Sequence, residues 1–366
     1  MIRLVQVGLG EWGLNWATEI IPQVRSVALV GCVARGQSRI PEIRRRWPHR
    51  EVPFFGSLCD AIRETDADGV LVVTTTEAHA ALVGQALALN RHVLVEKPFV
   101  ETSKDAAALA QISETRGLVL MVNQNFRFFP AAQRAAEIVR SGEFGRLSSI
   151  AIDFNKTMPY RDAERARHHY EMEQPLLMDL AIHHFDLMRM VISADPASIR
   201  CLGWNRPGSP FRDPANATAI VTFDNDVVVT WRASWEGRGH QTTFSGEWMM
   251  QCERADVSWA CRGDRDVSLD GDRVCVAASP EEQHAQTLPR PKLFGRAAAL
   301  DAFAAAVETG RIGPFFPHAH DNVKSIRLME AALRSHRTGE VVAVPRDLAP
   351  ISGIHAQVDA MGFGRT

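Results

Sequence analysis

The sequence predicts an α/β protein of two parts: a doubly wound parallel sheet, followed by an α+β domain built on an antiparallel sheet. Strand and helix patterns alternate over about the first 120 residues, which is typical of parallel strands joined by helices. From Ile199 to Val276 short strand patterns are separated by turn residues, which indicates an antiparallel sheet. The length of 366 residues is sufficient for two full-sized cores.

The composition is ordinary for a soluble globular protein and excludes several other classes. Hydrophobic residues make up 46% and charged residues 23% of the chain, with a formal net charge of -2. That balance gives no reason to expect a nucleic-acid partner, and no apolar run approaches the roughly 20 residues that span a bilayer. The amino terminus enters a strand pattern at once, without signal-peptide architecture, so we expect a cytoplasmic protein. The six cysteines are scattered without a CxxC pair, which favours neither a disulfide framework nor a zinc site.

The first strand, residues 2–7, leads into the stretch GLGEWG and then into a helical pattern. This is a GxGxxG motif in the strand–turn–helix context that dinucleotide-binding folds use. Gly8 permits the tight turn, Gly10 lets the backbone approach a pyrophosphate, and Gly13 lets the helix pack close to the strand. The motif therefore predicts a Rossmann domain that binds a dinucleotide, whereas the alternative is a glycine-rich turn without a ligand.

The end of the second strand favours NADP over NAD as the cofactor. An NAD-type fold places an Asp or Glu about 20 residues after the glycines to bind the ribose hydroxyls, and this sequence has none there. The strand instead ends at Ala34 and Arg35, with Ser38 and Arg39 shortly after. A guanidinium can hold a 2′-phosphate through paired, charge-assisted hydrogen bonds. The alternative is that these residues are solvated and merely open the following helix.

The stretch NRHVLVEKP, residues 90–98, reads as a buried strand. It delivers Glu96, Lys97 and Pro98 at its carboxyl end, where an α/β sheet binds its ligands. Pro98 restricts the backbone of Lys97 as the chain leaves the sheet. Taken alone, the pattern is equally consistent with a solvated lysine that starts a loop.

Three threonines and a histidine follow the strand at residues 69–73, where they could line the cofactor. The histidine could equally pack on its helix. Together with the residues above, the candidate cofactor contacts are Gly8, Leu9, Gly10, Glu11, Trp12, Gly13, Ala34, Arg35, Ser38, Arg39, Thr74, Thr75, Thr76, His79, Glu96, Lys97 and Asn125.

The second half contains one helix with an unusual polar stripe. Asp179, His183 and Asp186 are spaced i, i+4 and i+7, so they are predicted to share a face of an otherwise apolar helix. Buried polar groups cost stability unless they are paired or used. A satisfied Asp–His pair and a metal site are alternatives to a catalytic role, but no further His or Cys cluster has compatible spacing for a metal. The pair His168 and His169 lies in a charged segment that we expect to be a loop.

The rest of the second half follows local signals. Pro130 begins a helix that ends at Ser141 and Gly142. The other elements expected are a strand at residues 147–156, helices at 297–308 and 320–337, and a last strand at 341–344.

These motifs resemble those of the glucose–fructose oxidoreductase, inositol dehydrogenase and MocA-like (GFO/IDH/MocA) oxidoreductases, over nearly the whole chain. The resemblance rests on GLGEWG at 8–13, EKP at 96–98, NFRFFP at 125–130 and D-x-x-x-H-x-x-D at 179–186. It implies a Rossmann domain and a second α+β domain with an open, mostly antiparallel sheet. It also implies oxidation or reduction of a hydroxyl or keto carbon of a sugar, cyclitol or related polyol with NAD or NADP.

The resemblance assigns roles to three residues. Lys97 matches the family's active-site lysine, and it would donate a hydrogen bond to the substrate oxygen as alkoxide character develops. His183 matches the family's histidine and would act as general base or acid near neutral pH. Asp179 matches the family's aspartate and would bind the same or a neighbouring hydroxyl and orient His183. A cis bond before Pro98 and a homodimer or homotetramer are further implications. No metal ligand is predicted, on the spacing argument given above.

The predicted domains are a dinucleotide-binding domain at 1–125, a substrate and oligomerisation domain at 126–346 and a carboxy-terminal tail at 347–366. Two alternative functions stay open. One is a non-catalytic dinucleotide-binding regulator of the same fold, against which the joint presence of Lys97 and His183 argues. The other is a metal-dependent hydrolase or isomerase that uses the polar helix stripe. Residues proposed as substrate contacts by chemical type alone are Arg127, Tyr160, His184 and Trp235.

Overall fold

Six parallel strands form the first sheet, in the order β3-β2-β1-β4-β5-β6. The computed structural model describes residues 1–34, 36, 40–47, 51–158, 163–263 and 268–346, with the backbone alone at 163–166. The elements of this part are β1 (Ile2–Val7), α1 (Glu11–Asn15), β2 (Val27–Val33), α2 (Ile40–Arg46), β3 (Phe54–Phe55), α3 (Leu58–Thr65), β4 (Gly69–Val72), α4 (Thr76–Ala88), β5 (His92–Val95), α5 (Ser103–Thr115) and β6 (Leu120–Val122).

The central strands are buried on both faces, because helices cover a parallel sheet on both sides. Every residue of β4 and β6 is buried, and so are Val93, Leu94 and Val95 of β5. The strand order reverses between β1 and β4, so the carboxyl ends of these strands form the crevice where such sheets bind ligands. The predicted doubly wound parallel sheet is confirmed.

Local signals set the helix boundaries. The Thr102 side chain accepts a hydrogen bond from the backbone N–H of Asp105 at 3.1 Å and so caps α5. In the second half, α6 (Pro130–Ser141) begins at the predicted proline and ends at Gly142, whose φ of 63° is the left-handed conformation that glycine adopts readily. Both predicted boundaries are therefore confirmed.

The described chain divides into two compact units. The first consists of Met1–Asn125 and Arg296–Val323, and the second of Phe126–Gly295 and Lys324–Arg346. In the first unit, α9 (Gly295–Thr309) contributes Phe303, whose ring would contact any Cβ atom added at Gly69. The segment before α10 (Ala319–Thr338) accepts a hydrogen bond from the β6 residue Val122 through the Pro317 carbonyl at 3.1 Å.

A nine-stranded sheet forms the second unit, in the order β14-β13-β12-β11-β7-β10-β9-β8-β15. All neighbouring pairs are antiparallel except β7 and β10, so the expected mostly antiparallel sheet is confirmed. The remaining elements are β7 (Leu147–Asn155), α7 (Ala163–Glu171), α8 (Ile182–Ile192), β8 (Pro196–Trp204), β9 (Asn216–Phe223), β10 (Val228–Ser234), β11 (Glu247–Cys252), β12 (Asp256–Ala260), β13 (Arg273–Ala277), β14 (Gln283–Ala285) and β15 (Val342–Ala343).

One face of this sheet is covered by α6 and α8, and the other carries apolar side chains. All eleven residues of α8 are buried, and Phe185 packs against Trp231 with 5.8 Å between ring centroids. Leu202, Ile220 and Met249 are among the large apolar side chains exposed on the strands. Among the described residues, no helix combines the length and the apolar character that crossing a bilayer requires.

Two segments differ from the sequence-based expectation. The charged segment with His168 and His169, predicted as a loop, belongs to α7. Residues Leu176–Ala181, which precede α8, form a π-helix rather than an α-helix. A π-helix shifts the hydrogen-bond register by one residue, so spacing rules based on 3.6 residues per turn do not hold across it.

Candidate active site

The glycine loop after β1 has the geometry that a dinucleotide needs. Gly8 has a φ of 102°, and a Cβ atom there would overlap the carbonyl oxygen of Val73. A Cβ atom at Gly13 would overlap the carbonyl oxygen of Gly8. At Gly10 no heavy atom lies within 4 Å of an added Cβ, which leaves open space at the position where the backbone approaches a pyrophosphate. The loop therefore fits the cofactor for which the motif is named.

A buried glutamine holds this loop in shape. The Nε2 group of Gln6 donates to the carbonyl oxygens of Gly8 at 2.9 Å and Gly13 at 2.7 Å. Gln6 is fully buried in β1, so these bonds are formed in a water-free environment where they cannot be exchanged for solvent. The sequence analysis missed this residue, although a polar side chain in a buried parallel strand is itself a signal.

Two further candidate residues of the loop contact other parts of the first unit. Leu9 packs in a core cluster that includes Leu14, Ala34 and Trp47. Glu11 forms two hydrogen bonds with the guanidinium of Arg46, at 2.5 and 2.8 Å, on the surface. Of the residues predicted to choose between NAD and NADP, Arg35, Ser38 and Arg39 lie outside the described residues, and so does the proposed substrate contact Tyr160.

The threonines after β4 lie beside a histidine that organises the loop. Thr75 is exposed and immediately precedes α4, while Thr74 and Thr76 are half-buried. His79 is 1% exposed, with Nδ1 at 2.9 Å from the Pro98 carbonyl oxygen and Nε2 at 3.2 Å from that of Thr74. Its ring thus joins the loop after β4 to the turn after β5, and both of its nitrogens lie against backbone oxygens rather than toward solvent.

The turn after β5 presents Lys97 at the end of the sheet. The bond between Lys97 and Pro98 is cis, as the family resemblance implied, and Lys97 itself is half-buried. The preceding Glu96 is 5% exposed, and one of its oxygens, Oε1, accepts three hydrogen bonds. The donors are Trp12 Nε1 at 2.8 Å, Trp16 Nε1 at 2.7 Å and Asn123 Nδ2 at 3.0 Å.

A cation stacks on the two indoles that hold Glu96. The guanidinium carbon of Arg296 lies 4.0 Å from the ring centroid of Trp12 and 5.5 Å from that of Trp16. Arg296 is 3% exposed and donates a hydrogen bond to Asn15 Oδ1 at 2.7 Å. The large side chain of Trp12 is therefore held by two contacts: its N–H group donates to Glu96, and its ring face packs against Arg296.

In the second unit, the polar helix residues separate into different environments. Asp179, in the π-helix, accepts a hydrogen bond through Oδ2 from Nε2 of His169 at 3.1 Å. His183 is 6% exposed and stacks on Phe126, with 4.1 Å between ring centroids and 4° between planes. The stacking fixes the plane of the imidazole. His169, on the helix that was predicted as a loop, is the partner of Asp179 that sequence reasoning missed.

Asp186, the third residue of the predicted polar stripe, forms a buried ion pair. Asp186 is 1% exposed, and its two oxygens accept from Nε and the terminal nitrogen of Arg127, both at 2.6 Å. His183 and Asp186 both lie in α8, so the π-helix alters the spacing of Asp179 alone, and the structure commits Asp186 to a buried ion pair. The same pair removes Arg127 from the predicted substrate contacts.

The two other described residues chosen by chemical type also lie in the core. His184 is fully buried; Trp231 Nε1 donates to its Nδ1 at 2.9 Å, and its Nε2 donates to the Phe244 carbonyl oxygen at 3.0 Å. Burial lowers the pKa of His184 to about 4, so it is neutral at pH 7. Trp235 is 4% exposed and packs edge-on against Phe154. Neither side chain is placed to contact a substrate.

Among the described residues, no group of three or more His, Cys, Asp or Glu side chains is arranged to hold a metal ion. The polar stripe, which suggested a metal-dependent alternative, contributes Asp186 to an ion pair with Arg127 instead.

Burial raises the pKa of the thiols of Cys32 and Cys261, and that of the Cys201 thiol to about 12. All six cysteines are free thiols.

Comparison with known proteins decides the family. The model of an oxidoreductase family with an NAD-binding Rossmann fold matches residues 2–124, and the model of the GFO/IDH/MocA C-terminal domain matches residues 132–263. The chain belongs to the GFO/IDH/MocA family of oxidoreductases. Its first unit is thus an NAD-binding Rossmann fold, and the resemblance inferred from GLGEWG, EKP and the Asp–His helix is confirmed.

Two relatives are named for activities on sugars or sugar derivatives. The chain is 27% identical over 285 residues to D-apiose dehydrogenase of Paraburkholderia graminis, covering 75% of this chain and 72% of that protein. It is 30% identical over 207 residues to UDP-N-acetylglucosamine 3-dehydrogenase of Acidithiobacillus ferrooxidans, covering 56% and 59%. A match over 93% of this chain, 23% identical and covering 95% of the relative, is the uncharacterized protein y4oX of Sinorhizobium fredii.

Solved structures share the fold over nearly the whole chain. An oxidoreductase from Agrobacterium radiobacter, in complex with NAD+, L-tartaric acid and magnesium, superposes with a TM-score of 0.80 at 19% identity, covering 94% of this chain and 98% of the other. Aldose–aldose oxidoreductase from Caulobacter crescentus, complexed with glycerol, superposes with a TM-score of 0.77 at 19% identity, covering 93% and 99%. At this level of identity the likeness supports the fold.

Proposed function

We propose that the protein is an NADP-dependent oxidoreductase that transfers hydride to or from a hydroxyl or keto carbon of a sugar, cyclitol or related polyol. The observation that carries the proposal is the placement of Lys97 directly after Glu96, whose carboxylate is hydrogen-bonded to Trp12 of the glycine loop. The reactive lysine candidate is therefore adjacent to the loop that fits the dinucleotide, in a chain whose family is an oxidoreductase family.

The dinucleotide supplies the hydride acceptor or donor when it is bound. In the oxidative direction the C–H bond of the substrate carbon breaks and its electron pair leaves as hydride, while the hydroxyl loses a proton. In our proposal an imidazole nitrogen of His183 takes this proton, and its ring, stacked on Phe126, keeps a fixed orientation. The ammonium of Lys97 donates a hydrogen bond to the substrate oxygen and stabilises its developing negative charge. Asp179 binds a hydroxyl and orients His183; reduction reverses each step.

The choice of NADP rests on the second strand. The sequence places Arg35 and Arg39, with Ser38, at the position where NAD-binding folds carry an acidic residue. We propose that these side chains bind the 2′-phosphate, while Ala34 and the backbone of the glycine loop contact the rest of the dinucleotide. The Arg35→Ala variant is expected to weaken NADPH binding far more than NADH binding, since only NADPH carries the 2′-phosphate. Equal effects on the two dissociation constants, measured by nicotinamide fluorescence, would rule out the assignment.

The substrate class rests on the assigned activities of the relatives, which include a D-apiose dehydrogenase and a UDP-N-acetylglucosamine 3-dehydrogenase. The test is a spectrophotometric screen at about 340 nm, where the reduced nicotinamide absorbs. NADP+ and NAD+ are each tested with D-apiose, D-glucose, myo-inositol and UDP-N-acetylglucosamine. A second screen runs NADPH and NADH against 1,5-anhydro-D-fructose, because another relative is a 1,5-anhydro-D-fructose reductase. Turnover of at least one compound, faster with the NADP pair, is expected.

The same experiments separate the alternatives. A non-catalytic regulator would bind the dinucleotide without turnover of any compound in the panel. A metal-dependent enzyme would lose its activity on dialysis against a chelator, whereas an enzyme that uses the proposed mechanism would keep its full activity. The cytoplasmic location stays a prediction, which fractionation of cells that express the native chain would test.

We also propose that the protein is a homodimer or homotetramer. Support comes from the outer face of the second sheet, where Leu202, Trp204, Ile220, Val228 and Met249 are each at least a third exposed. Large apolar groups that lie together on one sheet face are typical of a protein–protein contact. Light scattering coupled to gel filtration measures the mass directly, and a monomer at micromolar concentration would contradict this part of the proposal.

A further inference from the structure

The carboxylate of Glu96 accepts four hydrogen bonds, and the mechanism above does not use it. It is 5% exposed, and its Oε1 accepts from three N–H groups on three different residues. Removing a carboxylate from water is costly, and such a group persists in a fold when charge-assisted hydrogen bonds replace its hydration. The cluster of donors around Oε1 is therefore a built arrangement rather than a surface contact.

The donors come from two places along the sheet. Trp12 is the last residue before the third glycine of the loop, Trp16 lies one turn further along the same helical segment, and Asn123 directly follows β6. One oxygen atom thus ties the glycine loop to the ends of β5 and β6. Arg296 stacks on both indoles and fixes their planes, so the two donors cannot turn independently.

The second oxygen of Glu96 points the other way. Its Oε2 accepts from the backbone N–H of Lys97 at 3.1 Å, so the carboxylate spans from the glycine loop to the lysine backbone. Lys97 also precedes a proline, which leaves this residue few backbone conformations. The carboxylate adds a hydrogen bond that selects one of them.

We propose that Glu96 is a positioning residue that couples the glycine loop to Lys97, with Trp12 as the loop's contact. This inference rests on the proposed function, in which the loop holds the dinucleotide and Lys97 contacts the substrate oxygen. Trp12 is 44% exposed, so one part of its ring stays open to a ligand while its N–H group holds Glu96. Contact of a dinucleotide with the exposed part of Trp12 would be transmitted through its hydrogen bond to Glu96, and from Glu96 to the Lys97 backbone. By linkage, the orientation of Lys97 acts back on the loop to the same extent.

The Glu96→Gln variant disturbs this arrangement selectively. The side-chain amide has the shape of the carboxylate but carries one oxygen and one NH2 group. If the oxygen keeps the three donors, the NH2 group faces the N–H of Lys97 and that bond becomes a repulsive contact. If the amide is turned, three donors face the NH2 group, which costs more. The variant therefore keeps the hydrogen bonds from Trp12, Trp16 and Asn123 and loses the one from the backbone N–H of Lys97.

The main test is a double-mutant cycle with Lys97. Loss of one charge-assisted hydrogen bond predicts a fall in kcat of about tenfold or more for Glu96→Gln, with a smaller change in the dissociation constant of NADPH. In a Lys97→Ala background the same change is expected to have no further effect on kcat, because Glu96 acts through the lysine. An additional tenfold loss in that background would overturn the proposal, since it would show a structural effect independent of Lys97.

The Trp12→Phe variant tests the loop end and does not require the buried carboxylate to change. It removes one donor from Oε1 and keeps an aromatic ring under Arg296. We expect kcat to fall in this variant, as it does in Glu96→Gln. The matched control is Trp47→Phe, because Trp47 is a buried tryptophan of the same unit whose indole N–H has no hydrogen-bond partner among the described residues. This control is expected to keep the native kcat, and equal losses in both variants would contradict the coupling.

A readout that needs no substrate separates this inference from the proposed function. Reductive dimethylation of lysines by formaldehyde and a borane, followed by peptide mass spectrometry, reports the reactivity of Lys97 against that of the exposed Lys104. In the absence of cofactor, Glu96→Gln and Trp12→Phe are expected to change the labelling rate of Lys97 severalfold and leave that of Lys104 unchanged. If the native protein turns over no compound in the panel, the proposed function fails while this comparison still decides the coupling. Unchanged Lys97 labelling in both variants would overturn it.

Discussion

His184 of α8 is expected to stay neutral in the folded protein, and the effect of this on stability can be worked out from its surroundings. Its ring lies among Phe154 and Trp231, accepts from the Trp231 N–H and donates to the Phe244 carbonyl oxygen. Burial lowers its pKa from the ordinary 6.5 to about 4. The folded state thus binds a proton less readily than the unfolded state does. The free energy of unfolding that His184 contributes is complete above pH 6.5 and is lost as the pH falls to about 4.

The size of this loss follows from the difference in pKa. A difference of about 2.5 pH units, at about 1.4 kcal/mol per unit, corresponds to a loss of about 3 kcal/mol. The His184→Gln variant carries no titrating ring, so it does not suffer this loss. At pH 7 it keeps a donor for the Phe244 carbonyl oxygen but leaves the Trp231 N–H without an acceptor, which costs about 1–3 kcal/mol.

Urea unfolding of both proteins between pH 4 and pH 7 measures the effect. The difference between the two free energies of unfolding is the quantity that matters, because all other titrating groups contribute equally to both proteins. We expect the native protein to be more stable by about 1–3 kcal/mol at pH 7, and the two curves to meet or cross near pH 4. A difference that stays constant over this pH range would refute the argument that His184 is held neutral in the core.

Three further predictions concern buried charges and the loop that holds the cofactor. Asp186→Asn leaves the guanidinium of Arg127 buried without its counter-charge, so the free energy of unfolding should fall by about 3–5 kcal/mol, as measured in urea; native-like stability would contradict the structural role of the pair. Burial raises the pKa of Asp272 to about 6, above its ordinary 3.8, so its folded state holds the proton more tightly and stability is lost as the pH rises from about 4 to about 6. Asp272→Asn should remove up to about 3 kcal/mol of this pH dependence, and an unchanged pH profile of unfolding would count against it. Gln6→Leu removes both hydrogen bonds that shape the glycine loop, so the dissociation constant of NADPH, measured by fluorescence titration, should rise by about tenfold or more, and a native value would show that the loop keeps its shape without them.

Much of the first unit was predictable because its signals are local. GLGEWG follows a strand and precedes a helix, and both Gly8 and Gly13 occupy positions where a Cβ atom would overlap a carbonyl oxygen. The helix from Pro130 to Ser141 was predictable for the same reason, since a proline begins it and a glycine in the left-handed conformation ends it. In each case the residues that determine the structure are neighbours in sequence.

The residues that the sequence did not reveal act across long separations. The three donors to Glu96 are Trp12, Trp16 and Asn123, which lie 84, 80 and 27 residues away along the chain. No spacing rule links a tryptophan of a glycine loop to a glutamate at the end of another strand. From the sequence, Glu96 is only a candidate cofactor contact, whereas in the structure its carboxylate accepts four hydrogen bonds.

The polar helix shows the limit of a periodicity argument. Asp179 lies in the π-helix Leu176–Ala181, whereas His183 and Asp186 lie in α8, so α-helical spacing does not apply from Asp179 to the other two. Asp186 pairs with Arg127, and Asp179 contacts His169. The D-x-x-x-H spacing selects His183 rather than the adjacent His184, but the sequence does not reveal their environments. His183 stacks on Phe126, and His184 lies in the core with both nitrogens bonded.

The central claim is that Lys97 contacts the reacting oxygen in an enzyme that uses a nicotinamide dinucleotide. The most direct test is the turnover of Lys97→Ala with the best substrate of the panel, measured beside its dissociation constant for NADPH. We expect turnover to fall by about 10²- to 10⁴-fold while NADPH binding stays within a few-fold of the native value. Native turnover in this variant would contradict the account, because the proposed chemistry cannot proceed at full rate without the lysine.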